Sequence, residues 1–236
     1  MLSNWAILFT FVAASTLQGA IIVSLTSDFS SVSNPNSEWN YVNDTNGTAA
    51  GGLATIGTSR SQSGLSGWSN ASSLDGSVMQ ITNATQLSWK DGQNGDVVVH
   101  SSETSGTTTG FIWTSSEIGV VDITGQVWDA LHDTGRNSSW ALYINNTLIA
   151  ERSAVFGLTR DTANANFANN TAVGASLDSV SIVIGDTISF YTEATTALGH
   201  FSGVELEITQ VPEPAAVALI LGSLGLFLAA SRRRCI

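Results

Sequence analysis

Apolar and polar residues alternate with a period of two along much of this chain. In Val204-Glu205-Leu206-Glu207-Ile208-Thr209 the apolar side chains fall on one face and the acidic or polar ones on the other, a strand with one wet face. Residues 180–184 and 187–191 are two more strand-like runs flanking Gly185-Asp186 as a tight turn. Residues 140–144 lead through Asn145-Asn146 into residues 147–150, a hairpin signal. Residues 96–100, 111–114 and 118–128 add strands, and Ile21-Ile22-Val23 reads as the first. Longer loops are expected at 43–52 and 157–171. No amphipathic helix and no repeat of fixed period interrupts the pattern, which predicts an all-β fold: an antiparallel β-sandwich, jelly-roll-like.

The two ends break the alternation. Residues 5–17 are mostly apolar and run into Gln18-Gly19-Ala20, the hydrophobic region and small-residue exit of a signal peptide, although no Lys or Arg precedes them. Cleavage after Ala14 and near Ala20 are both open; the second leaves Ile21 free to start the first strand. At the other end, Pro212 and Pro214 remove backbone donors, so a helix begins at or after Pro214. Residues 215–231, rising about 1.5 Å each, make a helix about 26 Å long, at the short end of what spans a hydrocarbon core of about 30 Å. Arg232, Arg233 and Arg234 follow and hold that end in the cytoplasm, with the body on the other side of the membrane. The expected organisation is a signal peptide at 1–20, a β-sandwich at 21–210 and a C-terminal segment at 211–236, with a transmembrane helix at 215–231 and a basic tail at 232–234.

Pro212-Glu213-Pro214, the apolar stretch 215–230 and the three arginines, in that order, resemble the PEP-CTERM sorting signal of Gram-negative bacteria. The resemblance implies recognition by a membrane exosortase, cleavage near Pro212–Pro214, and delivery to the cell surface or extracellular matrix after a transient membrane anchorage.

Charge narrows the partners. Residues 21–211 carry five basic residues against 18 acidic ones, a net −13, which argues against nucleic acid and against adhesion to anionic lipid. An acidic surface is compatible with Ca²⁺; no other cofactor is indicated. The single cysteine, Cys235, lies in the tail, so the body must be stable without disulfides. Seven Asn-x-Ser/Thr sequons are present, but in a chain this rich in Asn, Ser and Thr they arise by chance, and a bacterial export route does not read them.

The candidate chemistry is sparse. His100, His132 and His200 are too scattered in sequence to suggest a site. Asp129, His132 and Asp133 offer metal oxygens and a nitrogen within one loop, against the reading of a solvated turn. Glu205 and Glu207 share a strand face at about 7 Å, within the spacing of inverting glycosidase carboxylates, against the reading of an exposed acidic face. No nucleophile elbow, phosphate loop or zinc spacing occurs. The body holds six tryptophans, Trp39, Trp68, Trp89, Trp113, Trp128 and Trp140. Trp113 and Trp140 sit in apolar alternation and read as core. Trp128, beside Asp129 at a strand end, and Trp68, in Gly67-Trp68-Ser69-Asn70, are the candidates for exposure and for stacking on a sugar, with Asp129 binding its hydroxyls.

The body carries a second resemblance, through Asp28-Phe29-Ser30, Asn34-Pro35-Asn36, Trp39-Asn40-Tyr41, Val97-Val98-Val99-His100, Phe111-Ile112-Trp113-Thr114 and residues 183–190. Together these are similar to the β-sandwich ectodomains, resembling carbohydrate-binding modules, that precede PEP-CTERM tails in bacterial surface proteins. Relatives of that kind often have a proline after the histidine and an Asn…Asp pair before the last strand; here Ser101 follows His100, and residues 197–200 hold neither partner. The expectation is a non-enzymatic, exported surface or matrix protein that associates with extracellular polysaccharide. A secreted carbohydrate-active enzyme and a purely structural matrix protein are the alternatives.

Overall fold

The alternating stretch 204–209 becomes the middle of a sheet. The computed structural model describes residues 21–44, 53–69, 74–86, 89–103, 107–131 and 135–212; the predicted signal helix and the predicted membrane helix lie outside the described residues. Among the described residues, no helix is long and apolar enough to cross a membrane. The strands, in chain order, are β1 (Ile21–Ser24), β2 (Trp39–Asp44), β3 (Leu53–Thr55), β4 (Ser59–Gln62), β5 (Leu65–Ser69), β6 (Ser77–Ile81) and β7 (Val97–His100). They continue with β8 (Thr108–Thr114), β9 (Gly119–Asp129), β10 (Ser138–Ile144), β11 (Thr147–Arg152), β12 (Val180–Ile182), β13 (Thr187–Ala194) and β14 (Phe201–Gln210). A single helical turn, α1 (Leu25–Asp28), follows β1, and the long loop before β12 contains two 3-10 turns, Ala163–Ala165 and Phe167–Asn170.

The strands form two antiparallel sheets. One runs β12-β9-β14-β7-β6-β5-β4, with β1 pairing the far half of β14; the other runs β11-β10-β13-β8-β2-β3. Alternation fixes which side of each sheet is buried. Trp39, Tyr41, Phe111, Trp113, Trp140 and Phe190 of the smaller sheet meet Val97, Val99, Ile123, Val127, Val204 and Leu206 of the larger one in a single core. Phe111 and Phe190 stack there at 5.2 Å between ring centroids, and Trp140 lies 6.1 Å from Phe190. The all-β sandwich anticipated from the sequence is therefore the architecture of the described residues.

Two local expectations fare differently. The Asn145-Asn146 hairpin forms, with both residues at positive φ (48° and 66°) as a two-residue hairpin turn requires. Residues 180–191, by contrast, are not a hairpin. β12 is shorter than expected and pairs with β9 in the larger sheet, whereas β13 pairs with β10 and β8 in the smaller one. Residues 183–186 form a connection between sheets, closed by the Asp186 N–H donating to the Val183 carbonyl at 3.0 Å and the Val183 N–H to Asp186 Oδ2 at 2.8 Å. Flanking apolar runs mark two strands but not whether they pair with each other. The strands β3 to β6 carry no clear alternation and were not anticipated, nor was β2, whose last two residues, Asn43 and Asp44, fall in the stretch expected as a loop.

Candidate functional site

An open site needs a sheet face that no loop covers. The outer face of the larger sheet is covered: Leu65, Met79, Ile81, Val98, Trp128, Ala130 and Phe201 form a second, smaller apolar cluster there. The outer face of the smaller sheet instead lines a wide trough of about 1400 Å³. With Trp140 and Leu142 turned to the core, period two turns Ser139, Ala141 and Tyr143 of β10 outward; with Ile188 and Phe190 inward, Ser189, Tyr191 and Glu193 of β13 face the same way. Ala141 lies opposite Tyr191, and Tyr143 opposite Ser189, so the two tyrosines are diagonal neighbours. Their rings lie 5.9 Å apart, inclined by 50°, and both are half-buried.

The residues around the tyrosines keep the trough open. Ala141, Ser189 and Gly110 are small, and Gly110 has no alternative: a Cβ there would stand 1.8 Å from the Phe190 carbonyl oxygen. At β11 a bulge skips Ile149, since Leu142 faces Ala150 and Tyr143 faces Leu148, which adds local twist. Arg152 closes the end of the trough, its Nε donating to the Ala154 carbonyl at 2.8 Å and its Nη1 to Asn170 Oδ1 at 3.2 Å. Burial raises the pKa of Tyr143, with Glu151 adding to the effect. Burial also raises that of Tyr191, helped by Tyr143 and opposed by a hydrogen bond with Ser189. Both phenols therefore stay protonated at neutral pH, and each can donate a hydrogen bond beside an apolar ring face. Two tilted aromatic rings with hydroxyl, carboxamide and carboxylate groups at the rim suit a sugar chain: the rings cover its apolar C–H faces and the rim binds its hydroxyls.

The predicted ligand residues are elsewhere and buried. Trp68 is 5% exposed, lies in the main core, and donates from Nε1 to the Ser30 carbonyl at 2.6 Å. Trp128 is 1% exposed, so the expectation that it stands open at a strand end is corrected. One face of its indole is covered by the Arg160 guanidinium at 3.7 Å from the ring centroid, and Gly203 packs so close that a Cβ there would lie 2.1 Å from Trp128 Cε2. Arg160 is held in turn by an ion pair with Asp96. Gly203→Ala should therefore lower stability by about 1–3 kcal/mol, an overpacking cost, because the ring has no free side to move to; urea unfolding measures it. Trp113 and Trp140 are core, as anticipated.

Asp129 is also fully buried, in a polar line that sequence spacing hid. Its Oδ1 lies 3.0 Å from His200 Nε2, and its Oδ2 accepts from the Gly157 N–H at 2.9 Å. His200 Nδ1 lies 3.4 Å from Ser138 Oγ, which is 2.8 Å from Ser202 Oγ. Serine, histidine and aspartate in a row resemble a nucleophilic triad, but Ser138, Asp129 and His200 are at most 1% exposed, so no substrate reaches the serine. The line ties β9, β10 and β14 together. The structure also brings His100 close: it lies beside Phe201 at 4.3 Å and against Gly199. Two of the three scattered histidines, His100 and His200, thus come together, and His132 and Asp133 lie outside the described residues. Among the described residues, no group of three or more His, Cys, Asp or Glu side chains is placed to hold a metal ion.

Glu205 and Glu207 do share a face, as expected, and line a small cleft of about 260 Å³ with Ser24, Asp96, Trp128 and Arg160. Glu205 accepts a hydrogen bond from Gln126 Nε2 at 2.8 Å. Of the sorting-signal residues, only Pro212 is described; Glu213, Pro214, Arg232, Arg233 and Arg234 lie outside. No family model matches the chain, and no curated protein matches it.

Proposed function

We propose that this chain is an exported bacterial surface or extracellular-matrix protein, sorted by an exosortase, whose jelly-roll-like sandwich associates with extracellular polysaccharide without catalysis. The observation that carries the binding reading is the open trough of the smaller sheet with Tyr143 and Tyr191 on its floor. The trough's size fits an extended chain better than a single small molecule, since small-molecule pockets run to about 300–1,000 Å³. Affinity electrophoresis against a panel of soluble polysaccharides tests it. Tyr143→Ala with Tyr191→Ala should weaken retention by about fivefold to about 150-fold, from two aromatic contacts of about 0.5–1.5 kcal/mol each. Equal retention of the double variant, or no retention of the parent on any polysaccharide, would sink the reading.

The cleft beside Glu205 and Glu207 is the observation in favour of a second reading, a carbohydrate-active enzyme. At about 260 Å³ it falls below the usual range for a substrate pocket. Turnover of a polysaccharide panel that disappears in Glu205→Gln or Glu207→Gln would favour it. For the sorting reading, mass spectrometry of the extracellular protein should find the C-terminus near Pro212–Pro214; an extracellular form ending at Ile236 would count against processing.

A further inference from the structure

We propose that the end of the sandwich from which the chain leaves β14 is a membrane-contacting surface, where Ile118, Val183 and Ile184 enter the interfacial layer of a zwitterionic bilayer. The inference rests on the reading above that residues 215–231 anchor the chain before processing.

The three side chains are 69%, 52% and 66% exposed. They belong to two loops bound to each other: the Gly185 N–H donates to the Ser115 carbonyl and the Ser115 N–H to the Asp186 carbonyl, both at 2.8 Å. These loops extend β9 and β12, which end in register with Gly119 opposite Ile182. On the other side of β9, Gln210 of β14 faces Val121, and the Val211 N–H donates to the Val120 carbonyl at 2.8 Å. Ile182, Gly119 and the exit of the chain therefore lie abreast on neighbouring strands, about 4.8 Å apart. β1 starts at the same end, with Ile21 opposite Thr209. Exposed apolar side chains scattered singly are ordinary, whereas three on one pair of bound loops form a patch.

The reach of the chain decides what covers that patch. Val211 is four residue steps from Ala215, where the apolar run begins, and four steps span at most about 14 Å. The headgroup layer on each side of the hydrocarbon is itself about 5–8 Å thick. With residue 215 at the hydrocarbon boundary, even a fully extended tether lets Val211 stand no more than about 6–9 Å beyond the headgroups, so the loops beside it stay within reach of the bilayer surface. The tether also keeps the local concentration of bilayer high, so a contact too weak to recruit a free protein still forms. The carboxylates at this end set the lipid type. Asp186 is held by Asn145 Nδ2 at 2.9 Å, Glu38 accepts from Trp113 Nε1 at 2.8 Å, and Glu117 is exposed. With a body charge of −13, these repel anionic headgroups and leave a neutral bilayer as the fitting surface.

The test uses the full chain with Cys235→Ser, reconstituted into phosphatidylcholine vesicles. An environment-sensitive fluorophore is attached at Ile184→Cys or, as the control, at Leu198→Cys. Leu198 is 45% exposed in the connection before β14, at the opposite end of a ten-residue strand and about 30 Å away. Quenching by brominated lipid should be several-fold stronger at position 184 than at 198. It should fall to the control level when Ile118→Asp and Val183→Asp are added, and weaken when phosphatidylglycerol replaces part of the phosphatidylcholine. Equal quenching at the two positions in vesicles that still carry the protein through flotation overturns the contact and leaves the anchor standing. Protein that does not float with the vesicles overturns both.

Discussion

Lowering the pH from about 6.5 to about 3 should cost the sandwich on the order of 4 kcal/mol through one side chain, His100. Burial lowers its pKa from 6.5 to about 3, and the electrostatic influence of Arg136 and the neighbouring His200 acts in the same direction. In the unfolded chain the imidazole takes up a proton near its ordinary pKa; in the fold it resists until about 3. The unfolded state therefore binds more protons between those values. The stability is fully present above about 6.5 and declines as pH falls, by about 1.4 kcal/mol for each pKa unit of difference. The packing explains the resistance: the ring sits against Phe201 and Gly199, and a Cβ on Gly199 would lie 2.4 Å from its Cε1. Urea unfolding at a series of pH values measures the slope. His100→Gln, which cannot titrate, should flatten it across this window; an unchanged slope would assign the acid sensitivity elsewhere.

Asp129→Ala should destabilise the protein by about 2–4 kcal/mol, read as a fall in urea midpoint at constant m-value. The carboxylate accepts on both oxygens, from Gly157 and against His200, while its own N–H donates to the Leu158 carbonyl at 3.0 Å. Removing it leaves the buried His200 imidazole and the Gly157 N–H without their acceptor, with the backbone bond to Leu158 still tying the segment after β11 to the end of β9. Asp129→Asn keeps the shape and one acceptor and should lose less. A surface role in binding sugar would give the opposite pattern: weak retention on polysaccharide with an unchanged midpoint.

Those two residues show where the sequence is legible and where it is not. Period-two alternation was enough to find β9, β10, β13 and β14, because in each of them one face meets the core and the other meets water or a covering loop. The same alternation also holds the information for Tyr143 and Tyr191. If Trp140, Leu142, Ile188 and Phe190 are core, both tyrosines must point out. What the chain does not display is that β10 and β13 are neighbours, so that residues 48 positions apart share one floor. Trp128 was misread for the same reason. Its place at a strand end suggested exposure, but Arg160, in a loop 32 residues on, lies over the ring. The polar line of Asp129, His200 and Ser138 joins three strands and has no local signature at all. β3 to β6 were not anticipated because each is only three to five residues long and none sets an apolar face against a polar one.

The order in which the chain is made has a consequence for the larger sheet. Its longest ladder joins β9 to β14, the last strand in the chain, and β14 also supplies the partner for β7 and β1. Until residues 201–210 emerge, β9 and β7 each present an open backbone edge, and the two halves of the sheet have nothing to join them. Synthesis therefore delivers the strands of the smaller sheet complete and the larger sheet in separate pieces, which become one sandwich in a final step. That step falls only a few residues ahead of the apolar run at 215–230. Folding and arrival of the tail are nearly simultaneous, so a chain that loses its C-terminal strand forfeits the sheet as well as the tail.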